Sequence, residues 1–375
     1  MQSKISPVIQ SIVNVMSKEN TSIDCIVYLN NFNSVKKLDF DSDVKYYPFI
    51  NAIGLRLNSK SVHSLAKLSA VKYITHGAKV SALMHVSNKI LNTPKSDKGS
   101  DFSVVVIDTG LYPHLDIVGG RNKLIKWVDI INNKKYPYDD NGHGTSVTGV
   151  LCGNGFLSGS KYAGVAPNIN LISIKALDKN GETGSNTILS AMQWVYDNRR
   201  NYNIKVVCMS FGSDPIGEND PLIKGAEALW DNGIVVVGAG GNSGPGESTI
   251  KSPGASGKII TVGALNDNRV CDEYNIDKFE VADFSSRGPI YDRFKPDILA
   301  PGVEVVSACN RKLEGKYYDT MSGTSISTPM IAGICCHIIK NHPSYTPDMI
   351  KKEIISKGNI IMGDRNAEGY GWFRW

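Results

Sequence analysis

Cysteine is sparse in this chain, and none of it is arranged for pairing or metal binding. Seven occur in 375 residues: Cys25, Cys152, Cys208, Cys271, Cys309, Cys335 and Cys336. The number is odd, no Cys-x-x-Cys is present, and most lie in apolar stretches such as Val206-Val207-Cys208-Met209. That pattern argues against a disulfide framework or a zinc site and for reduced, buried thiols. No cysteine has a neighbouring histidine in a glycine-rich setting, as a thiol nucleophile would; Cys336-His337 reads as helix core. Apolar runs of about eighteen residues are missing too, so no membrane-spanning helix is expected. The stretch 326–339 is too short and carries Ser, Thr, Pro and His. Near the start, Asn14, Ser17, Lys18, Glu19 and Asn20 interrupt any signal-like apolar core. The expected location is therefore the cytoplasm, with export by a non-classical route as the alternative. Charge of one sign is not concentrated: Lys+Arg number 41 against 36 Asp+Glu, net +5, and the basic residues are scattered. Neither nucleic acid nor a membrane is an expected partner. No internal repeat or low-complexity segment stands out. What remains is a chain with 41% hydrophobic residues, enough for a large core and a smaller second domain.

Three short motifs carry chemistry. Asp108 closes the apolar run Val104-Val105-Val106-Ile107 and is followed by Thr109-Gly110. At the carboxyl end of a buried parallel strand, an Asp stands where catalytic groups of open α/β sheets gather; by itself it is equally a turn residue. His143 lies in Asn141-Gly142-His143-Gly144-Thr145, ahead of a run that reads as a helix. Ser325 lies in Gly323-Thr324-Ser325-Ile326-Ser327-Thr328-Pro329 and opens a second helical stretch, with Pro329 expected in its first turn. A serine hydroxyl needs a base to take its proton, and the base needs a buried carboxylate to hold its tautomer. The alternative for Ser325 is a plain helix N-cap.

A fourth element follows another apolar strand. The strand-like Ile234-Val235-Val236-Val237 runs into Gly238-Ala239-Gly240-Gly241-Asn242-Ser243-Gly244-Pro245. A strand followed by Gly-x-Gly also suggests a dinucleotide turn, but the next apolar run, Ile259-Ile260-Thr261-Val262, ends without the acid that fingerprint requires.

These four elements, in the order Asp, His, Asn, Ser, resemble the subtilisin-like serine proteases (subtilases). The likeness covers essentially the whole chain and is closest over 108–330. It implies a serine endopeptidase in which Ser325 is nucleophile, His143 base and Asp108 its orienting carboxylate. Asn242 and the Ser325 N–H would stabilise the oxyanion. The competing view is a non-catalytic binding module; all four residues being present speaks against it. No cofactor is required for this chemistry. The expected fold is α/β: apolar strand candidates at 103–107, 171–174, 206–210, 234–237 and 259–262 alternate with helical stretches near 190–196 and 222–230. That order argues a parallel sheet with helices on both faces.

The first hundred residues differ. Strands at 25–29, 50–57 and 71–74 and a helix at 61–68, with Val62, Leu65 and Leu68 on one face, suggest a small α+β (ferredoxin-like) sandwich. It resembles the inhibitory propeptide of subtilases; an unrelated accessory domain is the alternative. Domains are placed at 1–85 (propeptide, acting as inhibitor and folding aid) and 86–375 (peptidase), with self-processing near Ser81-Ala82-Leu83-Met84-His85. Within the family, the chain looks most like the intracellular, AprX-type branch. Secreted subtilisins carry an Asn-rich calcium loop, whereas residues 153–167 here contain no carboxylate. Structural calcium is left open.

For substrate, Cys208-Met209-Ser210-Phe211-Gly212 matches the family strand that pairs with an extended peptide. Ser210, Phe211 and Gly212 would flank the first specificity pocket, with Phe211 walling a further apolar pocket or serving as core. Lys251, in Ser248-Thr249-Ile250-Lys251-Ser252-Pro253-Gly254, would reach the pocket base, and Ser243 its rim, where no acid stands. An ammonium there favours an acidic P1 residue, unless Lys251 bends out to solvent.

Overall fold

A computed structural model describes residues 4–5, 9–10, 22–37, 44–48, 51–76, 84–94, 99–217, 219–270, 273–310 and 315–375. The chain divides into two compact units, Met1–Val80 and Ser81–Trp375. The expected junction, five residues further on, falls within the helix Met84–Leu91, and residues 81–83 of the expected cleavage stretch lie outside the described set.

In the first unit, strands β1 (Ile23–Leu29), β2 (Lys45–Tyr47), β3 (Ala52–Leu57) and β4 (Val71–His76) form an antiparallel sheet in the order β2-β3-β1-β4. Helix α1 (Ser59–Lys67) packs against β3 and β4. Its start is set by Asn58, whose side chain accepts from the Ser61 N–H. Val27, Ile53, Val62, Leu65 and Ile74 close the core between sheet and helix. Leu68 does not join them: the helix ends at Lys67, Leu68 turns extended, and its side chain is exposed.

The second unit begins with α2 (Met84–Leu91) and is built on β5 (Ser103–Asp108), β6 (Leu124–Asp129), β7 (Asn170–Lys175), β8 (Ile204–Met209), β9 (Val235–Ala239), β10 (Ile260–Asn266) and β12 (Ile298–Pro301). These run parallel in the order β12-β10-β9-β8-β5-β7-β6. Short strand β11 (Glu280–Val281) pairs antiparallel with β10. Strands β13 (Val305–Ala308) and β14 (Tyr318–Met321) form a separate hairpin, and β15 (Gly358–Asn359) and β16 (Trp372–Phe373) extend the edge beyond β12. Every residue of β5 and β9 is buried. Side chains of a strand alternate between faces, so both faces are covered. The cover comes from α3 (Leu115–Val118), α4 (His143–Cys152), α5 (Ser185–Asn198), α6 (Pro221–Asp231), α7 (Thr324–Asn341), α8 (Pro347–Ser356) and α9 (Arg365–Glu368). Helix α7 is buried along nearly its whole length and packs on β8, β9 and β10. Pro329 is its sixth residue, inside the helix rather than in the first turn. It therefore withholds a donor from the Ser325 carbonyl.

Candidate active site

The expected site residues form two pairs: Asp108 with His143 at the carboxyl end of β5, and Asn242 with Ser325 past the end of β9, one strand over across β8. Asp108 is the last residue of β5 and 1% exposed. Its Oδ1 accepts from the Thr109 N–H at 2.7 Å and lies 2.7 Å from His143 Nδ1. His143 is the first residue of α4. Two glycines permit this approach. A Cβ on Gly110, at φ +126°, would lie 2.2 Å from the Tyr138 carbonyl, and one on Gly144 would lie 2.3 Å from the Gly110 carbonyl. Burial disfavours the imidazolium, but the carboxylates of Asp108 and then Asp139 outweigh it, so the His143 pKa stands above its ordinary value.

Asn242 lies three residues past the end of β9, and Ser325 in the first turn of α7. They meet across Gly323, at φ +153°: a Cβ there would lie 3.1 Å from Ser325 Oγ and 3.2 Å from Asn242 Nδ2. Both groups thus face one small space. The Asn242 amide is oriented by Thr324, whose N–H and hydroxyl each donate to Asn242 Oδ1 at 2.9 Å. The amide N–H groups are left facing the opposite way. The Ser325 N–H belongs to the turn whose donors lack helical acceptors. No helix follows β9 before β10, as a dinucleotide turn requires.

The residues expected to face substrate are laced together. Ser213 and Ser252 exchange backbone hydrogen bonds at 3.0 and 2.8 Å, and the Lys251 N–H donates to the Gly240 carbonyl at 2.9 Å. Ser210 is buried and Ser243 exposed, its N–H donating to Ser286 Oγ at 3.0 Å. Phe211 is half-buried and lines a concavity of about 300 Å³ with Leu177, Ile188, Gly212 and Leu222, while also packing on the core. The stem of Lys251 lies against two glycines: a Cβ on Gly212 would meet Lys251 Cβ at 2.6 Å, and one on Gly241 its Cγ at 2.5 Å. The ammonium is neither unopposed in a pocket nor loose in solvent. It pairs with Asp214, an acid two residues past Gly212 that sequence reasoning did not weigh.

Thr109, Asp139, Lys175 and Thr324 were also missed. The signal available was adjacency: three of them flank Asp108, the His143 loop or Ser325 directly. For the loop 153–167, calcium does not fit. Its neighbour Asp116 is already engaged by the Leu157 N–H at 3.0 Å and the Tyr318 hydroxyl at 2.7 Å. The buried ammonium of Lys123 donates to the Asp116 and Cys152 carbonyls at 2.8 and 2.7 Å, so a protein cation already stands there. Among the described residues, no three His, Cys, Asp or Glu side chains cluster to hold a metal, and no helix is long and apolar enough to cross a membrane.

The α/β fold, taken with the family and relatives that match it, makes the chain a serine protease, a hydrolase of peptide bonds. The sequence model of the Subtilase family matches residues 99–372, and the chain belongs to that family. It is 38% identical to serine protease AprX of Bacillus subtilis (strain 168) over 347 residues, covering 86% of this chain and 77% of that one. Subtilisin E of the same organism is 29% identical over 349 residues, covering 88% and 82%. Among solved structures, the S41 psychrophilic protease matches with a TM-score of 0.66 at 30% identity, covering 77% of this chain and 96% of that one.

Proposed function

We propose that the chain is an endopeptidase working through Asp108, His143 and Ser325, made as a self-inhibited precursor. The observation that carries this is the 2.7 Å contact between the buried Asp108 carboxylate and His143 Nδ1. It fixes the proton on Nδ1 and leaves Nε2 as the basic nitrogen. Ser325 Oγ attacks the scissile carbonyl carbon as its proton passes to His143 Nε2. The carbonyl oxygen, now an oxyanion, takes hydrogen bonds from Asn242 Nδ2 and the Ser325 N–H. Collapse breaks the C–N bond, His143 returns the proton to the leaving amine, and water deacylates Ser325 by the same route. Extended peptide pairs along Ser210, Phe211 and Gly212, with Ser243 and Lys251 at the first pocket. Residues 1–85 serve as inhibitor and folding aid, because a long-range parallel sheet folds slowly. Buried free thiols at Cys152, Cys208, Cys335 and Cys336 support the cytoplasm as the working compartment.

A fluorophosphonate probe tests the nucleophile. Wild type should be labelled on Ser325, and Ser325→Ala should lose labelling, peptide hydrolysis and self-cleavage with the fold retained. Loss of a triad serine costs about 10⁶ in turnover in subtilisin. Near-normal activity in Ser325→Ala would sink the assignment. For the precursor, residues 1–85 added in trans should inhibit the processed enzyme, whose N-terminus should fall near residues 81–85.

A further inference from the structure

Between the Asp108 turn and the His143 helix lies a buried polar network with no part in binding or bond-breaking. Thr109, next to Asp108, is fully buried. Its hydroxyl donates to Asp139 Oδ1 at 2.9 Å and accepts from the Gly144 N–H at 2.8 Å, so one side chain joins the strand that carries the acid to the helix that carries the base. Asp139 is 7% exposed. Beyond Thr109, its carboxylate accepts from the N–H groups of Asn141 at 3.1 Å, Gly142 at 2.8 Å and Thr145 at 2.9 Å, and from the Thr145 hydroxyl at 2.6 Å. These donors bracket His143 on both sides. A carboxylate at a helix start also meets the favourable end of the helix dipole. Lys175 ends β7 opposite Asp108 in register. Its side chain is fully buried, and the ammonium donates to the Thr109 carbonyl at 2.5 Å, Asp140 Oδ1 at 2.6 Å and the Leu177 carbonyl at 3.0 Å. One end of the clamp thus grips the residue after the acid, and the other the loop before the base.

We propose that Thr109, Asp139 and Lys175 are positioning residues that hold Asp108 and His143 in register for proton transfer. The inference rests on the triad reading above. Two side chains from segments 35 residues apart keep a 2.7 Å contact only if both backbones are fixed. A buried, fully paired network fixes them better than packing alone, because each member loses its partners if it moves. The dependence is steep: a displacement of about 1 Å at a reacting group can cost about 10² in rate.

Thr109→Val and Thr109→Ser in the full chain separate positioning from folding. Valine keeps the volume and removes the hydroxyl; serine keeps the hydroxyl. Thr109→Val should lose kcat by about 10- to 100-fold while KM changes by less than about threefold, the pattern of an interaction realised only in the transition state. It should label more slowly with fluorophosphonate, and its acid limb in kcat/KM should move to lower pH. No charge is removed, so that shift reads His143 retreating from the carboxylates of Asp108 and Asp139, which face it. Thr109→Ser should restore all three. If Thr109→Val does not fold, Asp139→Asn decides through kcat alone, since losing its charge lowers the His143 pKa by itself. Wild-type kcat and an unmoved acid limb in folded Thr109→Val, or wild-type kcat in Asp139→Asn, overturns the clamp while Ser325 labelling keeps the triad. Wild type that neither labels nor cleaves overturns both.

Discussion

The pairing of Lys251 with Asp214 sets a quantitative expectation for the first specificity pocket. Left alone, an ammonium on a stem held against Gly212 and Gly241 would attract an acidic P1 side chain. Asp214 already neutralises it, and repels the same substrate. Asp214→Asn removes that competition at constant shape. The size of the effect follows from exposure: the Lys251 side chain is 23% exposed, but that of Asp214 is 87% exposed. Water screens such a pair, so its strength belongs to surface pairs, about 0.2–1 kcal/mol. At about 1.4 kcal/mol per tenfold, that is a factor of roughly 1.4–5 in selectivity. The assay is kcat/KM for matched peptides with P1 Glu and P1 Leu. The Glu/Leu ratio should rise by that factor in Asp214→Asn, fall back in Asp214→Asn combined with Lys251→Met, and shrink as salt is added. The reciprocal variant, Lys251→Met alone, frees Asp214 and should favour P1 Lys over P1 Leu. The P1 Leu rate should stay constant, as an internal control. Unchanged ratios in both single variants would refute the placement of this pair at P1.

Other expectations follow from buried charge and close contact. Gly323→Ala puts a methyl between Ser325 Oγ and Asn242 Nδ2; kcat should fall by about 10²–10³, comparable with losing the oxyanion amide in subtilisin, and unaltered turnover would mean that this space holds no oxyanion. Lys295 is buried beside Asp297 at 2.7 Å, and burial pushes its pKa down to about 7. The unfolded chain then binds more protons between pH 7 and the ordinary lysine value of about 10.4, so this group makes stability rise with pH across that window. Lys295→Met, in the inactive Ser325→Ala background, should flatten the rise in Tm from pH 7 to 10, and an unchanged slope counts against it. Asp297 also binds Lys351 at 2.9 Å, so Asp297→Ala leaves Lys351 without its carboxylate and the buried Lys295 amine without its partner, and should cost about 3–5 kcal/mol in denaturant unfolding. Burial raises the thiol pKa of Cys152 to about 11 and Cys208 to about 12, so these thiols should ignore a thiol reagent in the native protein and react after unfolding without reductant.

The sequence by itself determined the central sheet and singled out the residues proposed as reacting groups. Strands β5, β8 and β9 are continuous apolar runs, legible because both of their faces are buried. Asp108, His143, Asn242 and Ser325 stand out because glycines and small residues must surround groups that approach a substrate backbone. Edge strand β6, half exposed and interrupted by Lys126, carried no such run, and β12 and the β13–β14 hairpin were too short to show a period. Tertiary structure alone decided the partners. Lys123, Lys175 and Lys295 are among the most deeply buried large side chains, although lysine is ordinarily a surface residue. Their acceptors are carbonyls, carboxylates and one hydroxyl on helices, strands and loops brought together by the fold. The same holds for Lys251: the chain suggested a place at the first pocket, but not that its ammonium pairs with Asp214, 37 residues earlier. A side chain's chemistry is local to the sequence. Its net charge, direction and pKa depend on which distant groups share its low-dielectric surroundings, and only the packed fold chooses those.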